Sequence, residues 1–260
     1  AIAASRLAAD TTFISKVGKD GNANFILEDF KKAGIHTQYI LTSESEETGQ
    51  AFITVDEAGQ NTILVYGGAN MTLSATDVEM SADAFIGADF VVAQLEVPFE
   101  AIEQAFKIAR KQNITTVLNP APAIELPKSL LELTDIIIPN ETEAELLTGI
   151  SINNESDMKE TATYFLNLGI SAVLITLGEQ GTYCAYQEQY KMIPACNVKA
   201  IDTTAAGDTF IGAFLSELNK DLSNLESAIR LANQASSLTV QRKGAQASIP
   251  TRKEVEAEYN

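Results

Sequence analysis

Short apolar runs rich in β-branched residues recur through the middle of the chain. "DFVVAQL" (89–95), "ITTVLNP" (114–120), "DIIIPN" (135–140) and "AVLITLG" (172–178) read as buried strands. Between them, 99–112, 141–148 and 155–168 carry apolar positions at helical spacing. Strands alternating with helices predict βαβ units, hence a three-layer α/β/α fold with a mainly parallel central sheet. Two earlier runs, Ala51–Val55 and Thr62–Tyr66, flank the turn chemistry of "DEAGQN" and predict an antiparallel hairpin, a small β lid at 50–66 on one domain spanning 1–260. In "AIAASRLAAD", Ala1, Ala4, Leu7 and Ala8 share a helical face, so the chain is expected to open inside a helix, as a fragment would. Late in the chain, Phe210, Ala213, Phe214 and Leu218 mark a helix starting just after Gly207, and "SAIRLANQASSLTV" marks another.

The strand endings turn the picture from fold to function. The four runs end at Gln94-Leu95-Glu96, Asn119-Pro120, Asn140-Glu141 and Thr176-Leu177-Gly178. In open α/β sheets, ligands bind beyond the carboxyl ends of the strands. One polar ending serves solubility; four in succession predict a shared site.

Charge narrows the ligands. The 260 residues carry a formal net charge of −17, which disfavours nucleic acid and anionic lipid as partners. An anionic substrate must then be met by backbone dipoles or by a metal. Cys184 and Cys196 are the only cysteines, which suits a reducing cytoplasm and two ordinary buried thiols. A single histidine, His36, excludes a multi-histidine metal centre and reads as a loop residue. No apolar run approaches the roughly 20 residues of a membrane helix.

The segment "DTTAAGDTF" (202–210) holds the sharpest chemistry. The first N–H groups of a helix lack internal partners, and the helix dipole adds positive potential there. Ala205, Ala206 and Gly207 are small enough to let an anion reach those amides. Asp208 beside them is either a general base, worth a factor of about 10²–10⁴, or a first-turn acid favoured by the dipole by roughly 0.3–1 kcal/mol. No G-x-G-x-x-G follows a first strand, and no GxxxxGK[ST] occurs, which argues against a Rossmann dehydrogenase or a P-loop enzyme.

The blocks "TFISKVGKDGNA", "GGAN", "QLEVP", "NPAPA", "PNETEAELLTG", "ITLGEQG", "DTTAAGDTF" and "RKGAQASIP" appear in this order over almost the whole chain. In them the sequence resembles the ribokinase, or PfkB-type, carbohydrate kinases. The resemblance implies ATP-dependent phosphorylation of D-ribose to ribose 5-phosphate, with Mg²⁺ on the nucleotide and K⁺ as activator. Other readings are a different sugar or nucleoside kinase of the family, or a nucleotide-binding piece without turnover. By the resemblance, Asp208 is the base and the backbone of Ala205, Ala206 and Gly207 the anion hole. Asn140 and Glu143 match an "NxxE" element that holds Mg²⁺ through water; as bare residues they fit a capping box better. Thr176, Gly178 and Gly181 match the nucleotide loop, though glycines also simply turn a chain after a strand. Asn233 matches a position beside the adenine, against the plain expectation of a solvent-facing helical Asn. Glu96 matches a contact to a sugar hydroxyl, and Asp202, Thr204, Thr239, Arg242, Gly244 and Ser248 match a K⁺ loop built mostly from carbonyls. A cytoplasmic homodimer formed through the lid is also implied. The family's first strand with its sugar-binding Asp, and its "GGKGAN" loop, have no counterpart in the 260 residues, so N-terminal elements are expected to be missing.

Overall fold

The computed structural model describes residues 1–55 and 61–259. The elements in chain order are α1 (Ile2–Arg6), β1 (Ser15–Val17), α2 (Gly21–Lys32), β2 (Ile40–Thr42), β3 (Gln50–Val55), β4 (Asn61–Tyr66) and α3 (Ala75–Met80). They continue with β5 (Phe90–Ala93), α4 (Phe99–Lys111), β6 (Thr115–Leu118), α5 (Lys128–Leu131), β7 (Ile136–Ile137), α6 (Glu141–Thr148), α7 (Glu155–Asn167) and β8 (Ala172–Thr176). The last are β9 (Gly181–Tyr186), β10 (Gln189–Pro194), α8 (Ala206–Glu217), α9 (Leu225–Val240) and α10 (Arg252–Tyr259).

A six-stranded sheet, ordered β10-β9-β8-β7-β6-β5, forms the middle layer. Pairing is parallel from β5 through β8, then antiparallel through β9 and β10. Side-chain alternation along β8 divides the core: Ala172 and Leu174 face α8 and α9, whereas Val173 and Ile175 face α4 and α7. Each of these side chains is fully buried, worth roughly 1.5–3 kcal/mol for a Val, Leu or Ile. The expected three-layer α/β/α architecture with a mainly parallel sheet is therefore present.

The predicted helices match closely, because amphipathic spacing and caps agree: Asn154 caps α7 through the Ser156 and Asp157 amides, and Gly149 ends α6 at φ +74°. "DIIIPN" gives only a two-residue strand. Pro139 has no N–H, and pairing resumes as the Asn140–Thr176 bridge, with the Thr176 amide donating to the Pro139 carbonyl at 2.9 Å. The β3–β4 hairpin pairs Phe52 with Leu64 and Ala51 with Val65; of the predicted turn, 56–60 lie outside the described residues.

Several expectations need correction. The buried side of α1 is Ile2, Ala3 and then Leu7, with Ala1 and Ala8 exposed, because α1 packs on α8 rather than lying along the surface. Cys196 is half-exposed and only Cys184 is buried. His36 is more than a loop residue: it bridges Thr12, and its Nε2 lies 2.8 Å from Asp10 Oδ1. Asn233 is buried, at 7% exposure, since α9 lies flat against β9 and β10.

Candidate active site

Helix α8 starts at Ala206, earlier than the sequence pattern places it, and its N-cap is Ala205 at φ +61°. A non-glycine residue held in this left-handed region costs about 1–3 kcal/mol, and such strain concentrates at functional sites. No side chain caps the helix. The Ala206 amide donates to the Thr203 carbonyl at 3.2 Å, whereas the amides of Ala205, Gly207 and Asp208 meet no acceptor among the described residues. Uncapped amides, positive helix pole and small side chains together make an anion site. Asp208 and Gly207 are exposed, so the carboxylate stands beside those amides with open access.

The chain end of α9 holds this helix start in place. Ser236 Oγ donates to the Ala206 carbonyl at 3.0 Å, and Thr239 Oγ1 donates to Thr209 Oγ1 at 3.0 Å. Behind it lies the 201–204 loop, whose Ile201 and Asp202 amides both donate to the Val240 carbonyl. The Asp202 carboxylate accepts from the Thr204 and Gly244 amides, each at 2.9 Å. These bonds, that of Gly244 first, hold its pKa down to about 2. Asp202, Thr204 and Gly244 thus meet directly, whereas the Thr239 carbonyl accepts the Arg242 amide in a local turn at the end of α9. Arg242 turns its guanidinium to Glu254 at 2.8 Å, and the Ser248 hydroxyl donates to the Ala245 carbonyl at 2.6 Å. The carbonyls of Asp202, Thr204, Gly244 and Ser248 accept no hydrogen bond from the described residues. Arg6 braces the loop, donating to the carbonyls of Gln246 and Ile249. Sequence reasoning missed Arg6 and Ser236; Arg6 lies 240 positions from Gln246, and no local pattern carries that contact.

At the end of β7, Asn140 and Glu143 form a complete capping box. The Asn140 side chain accepts from the Glu143 amide at 2.8 Å, and Glu143 accepts from the Asn140 amide at 2.8 Å and from its Nδ2 at 2.9 Å. Burial pushes the Glu143 carboxyl up, partly offset by the Asn140 amide. Both carboxylate oxygens are engaged, and no cluster of three His, Cys, Asp or Glu suited to a metal occurs among the described residues. The Glu143 carboxylate is therefore occupied by the helix cap.

The Asn140–Thr176 bridge places the ends of β7 and β8 side by side. Gly178 (φ +52°) opens onto free space, while a side chain at Gly181 (φ +111°) would collide with the Ile193 carbonyl, so Gly181 owes its identity to the β10 backbone. Asn233 spends its amide internally: Oδ1 accepts from Thr182 Oγ1, and Nδ2 donates to the carbonyls of Ile193 and Pro194. Glu96 is exposed beyond β5, and Asn119 beyond β6 donates its Nδ2 to the Ile138 carbonyl.

The model of the pfkB family carbohydrate kinases matches residues 1–252. The chain belongs to the pfkB family. It is 64% identical over 255 residues to a ribokinase of Staphylococcus aureus (strain COL), covering 98% of this chain and 84% of that one. A deoxyribokinase of Salmonella typhi is 33% identical over 252 residues, covering 96% of this chain and 82% of the relative. The structure of Arabidopsis thaliana ribokinase complexed with ribose and ATP superposes with a TM-score of 0.90 at 31% identity, covering 99% of this chain and 84% of the other.

Proposed function

We propose that this pfkB-family kinase transfers the terminal phosphoryl group of ATP to D-ribose, giving ribose 5-phosphate and ADP. The observation that carries the reading is the uncapped start of α8, with three free amides and Asp208 in its first turn. In this mechanism the amides of Ala205 and Gly207 neutralise charge on the migrating phosphoryl oxygens. They are fixed before reaction by Ser236 and by the 201–204 loop, so little reorganisation is needed. Asp208 takes the proton of the attacking sugar hydroxyl as the new P–O bond forms and the bond to ADP breaks. Thr176, Gly178 and Gly181 border the nucleotide side, Asn233 supports it from behind, and Glu96 faces the sugar. Mg²⁺ would shield phosphate charge when bound, and Glu143, fixed by Asn140 at the α6 cap, would help hold it through water. K⁺ fits the loop of Asp202, Thr204, Thr239, Arg242, Gly244 and Ser248, stiffening the connection into the anion hole. The 50–66 hairpin acts as the lid of a single domain. Phe52 and Leu64 pair across it with exposures of 53% and 70%, an apolar face suited to a second copy of the chain in a cytoplasmic homodimer.

ADP release measured with ribose, 2-deoxyribose, fructose and adenosine tests the substrate: ribose gives the highest kcat/KM, and turnover with every sugar but ribose refutes the reading. Asp208→Asn keeps ATP binding within about twofold yet lowers kcat by about 10²–10⁴. A wild-type rate in that variant would leave Asp208 a helix-end charge only.

A further inference from the structure

Two blocks of the sequence, "VGKDG" at 17–21 and "YGGAN" at 66–70, have no role in the transfer chemistry, yet they meet at the foot of the β3–β4 hairpin. Asp20 ends the β1–α2 connection and caps α2 through the Ala23 amide at 2.9 Å. Its carboxylate then reaches across 28 positions to Thr48, just before β3. It accepts the Thr48 amide at 2.7 Å and the Thr48 hydroxyl at 2.8 Å. The same hydroxyl accepts the Gly18 amide at 3.0 Å, and Thr48 is only 2% exposed. Capping alone needs one oxygen and one amide; here both oxygens are committed to the hairpin's first foot.

The second foot is locked to the first. The Ala69 amide donates to the Glu47 carbonyl at 2.8 Å. Close backbone approach dictates the glycines. A Cβ on Gly18 would lie 2.5 Å from the Thr48 nitrogen, and one on Gly49 would lie 2.8 Å from the Gly67 carbonyl oxygen. Gly68, at φ +48°, has the Glu47 carbonyl against its open side. Beyond this node, the hairpin extends with Phe52 and Leu64 exposed.

We infer that Asp20 is a positioning residue: through Thr48 it sets the angle at which the β3–β4 hairpin leaves the domain, and so governs sugar capture by the lid. This rests on the hairpin's proposed role as the cover of the sugar. A few terminal residues that absorb or forbid rotation are how lids are set, and their alteration moves substrate affinity without touching the reacting atoms.

Three variants test it: Thr48→Val, which keeps shape but removes the hydroxyl; Thr48→Ser, which restores it; and Asp20→Asn. Ribose KM and ATP KM are measured separately, alongside hydrogen exchange of the wild type and each variant. Thr48→Val and Asp20→Asn are expected to raise the ribose KM about tenfold and hold the ATP KM within about twofold. Exchange in segments 47–55 and 66–70 rises about tenfold while 172–176 stays at the wild-type rate, and Thr48→Ser returns to wild type. An unchanged ribose KM in both Thr48→Val and Asp20→Asn overturns the inference, as does a loss shared by both substrates with faster exchange throughout. Should the wild type turn over no ribose, the substrate assignment fails instead; exchange then decides alone, and an unmoved hairpin foot refutes the node's role.

Discussion

At the residue scale, the active site is shaped by what its groups are not bonded to. Ala205 sits in the left-handed region and caps nothing, and the two amides after Ala206 stay free. Ala205→Gly relieves the backbone strain and is expected to raise stability by up to about 1 kcal/mol, seen as a higher Tm, while loosening the amides and lowering kcat. Asp202 is the opposite case, a carboxylate saturated by amides. Its pKa falls from an ordinary 3.8 to about 2, so the folded loop favours the charged form. A depressed carboxyl stabilises above its unfolded value and loses that contribution as pH falls from 3.8 toward 2. The Gly244 amide shift in NMR should follow this titration in the wild type and stay flat in Asp202→Asn. On the proposed K⁺ assignment, half-activation should also need more salt in that variant. Cys184, whose thiol burial pushes up to about 12, should resist a maleimide that labels half-exposed Cys196; mass spectrometry of the tryptic peptides reads this directly.

At the scale of elements, position matters more than propensity. Helix α8 is anchored by α9 on one side and by α1 on the other, and Gly212 is the contact point: a Cβ there would lie 2.5 Å from Ala3 Cβ and 2.6 Å from the Ala4 nitrogen. Gly212→Ala is therefore expected to destabilise by about 1–3 kcal/mol through overpacking, despite the better helix propensity of Ala. Thermal melts check this, and because α8 carries the anion hole, kcat should fall with Tm. The short β7 shows the same rule. Two residues suffice because Pro139, Asn140 and Thr176 continue the alignment beyond the ladder and bring two loops to one place.

At the scale of the molecule, the sheet delivers its polar loops to one end, and the net charge of −17 leaves local dipoles to attract a nucleotide. On the proposed K⁺ assignment, activity should respond to the identity of the monovalent cation more than to ionic strength. Replacing both Phe52 and Leu64 with Asp should abolish a dimer formed through the hairpin. Sedimentation velocity gives the answer, and an unchanged species would place any interface elsewhere.

The sequence alone determined much of this protein. Continuous apolar runs located the β5–β8 strands, because a strand buried on both faces is apolar throughout, and period-3.6 patterns located α4, α6 and α7, because burial of one helix face imposes that period. The alanine and glycine run before Asp208 marked a candidate anion site, and the sequence left open whether Asp208 is a base or a first-turn acid. Tertiary structure decided the rest. The identity of Gly181 and Gly212 comes from backbones that approach from distant segments, Asn233 is buried by the sheet it lies on, and Arg6 reaches a loop 240 positions away. The capping box of Asn140 and Glu143 was legible as a pattern, but only tertiary packing buries Glu143, at 6% exposure, while Asn140 stays exposed at the strand end. Such contacts leave no periodic trace, since each is set by where two remote segments happen to touch.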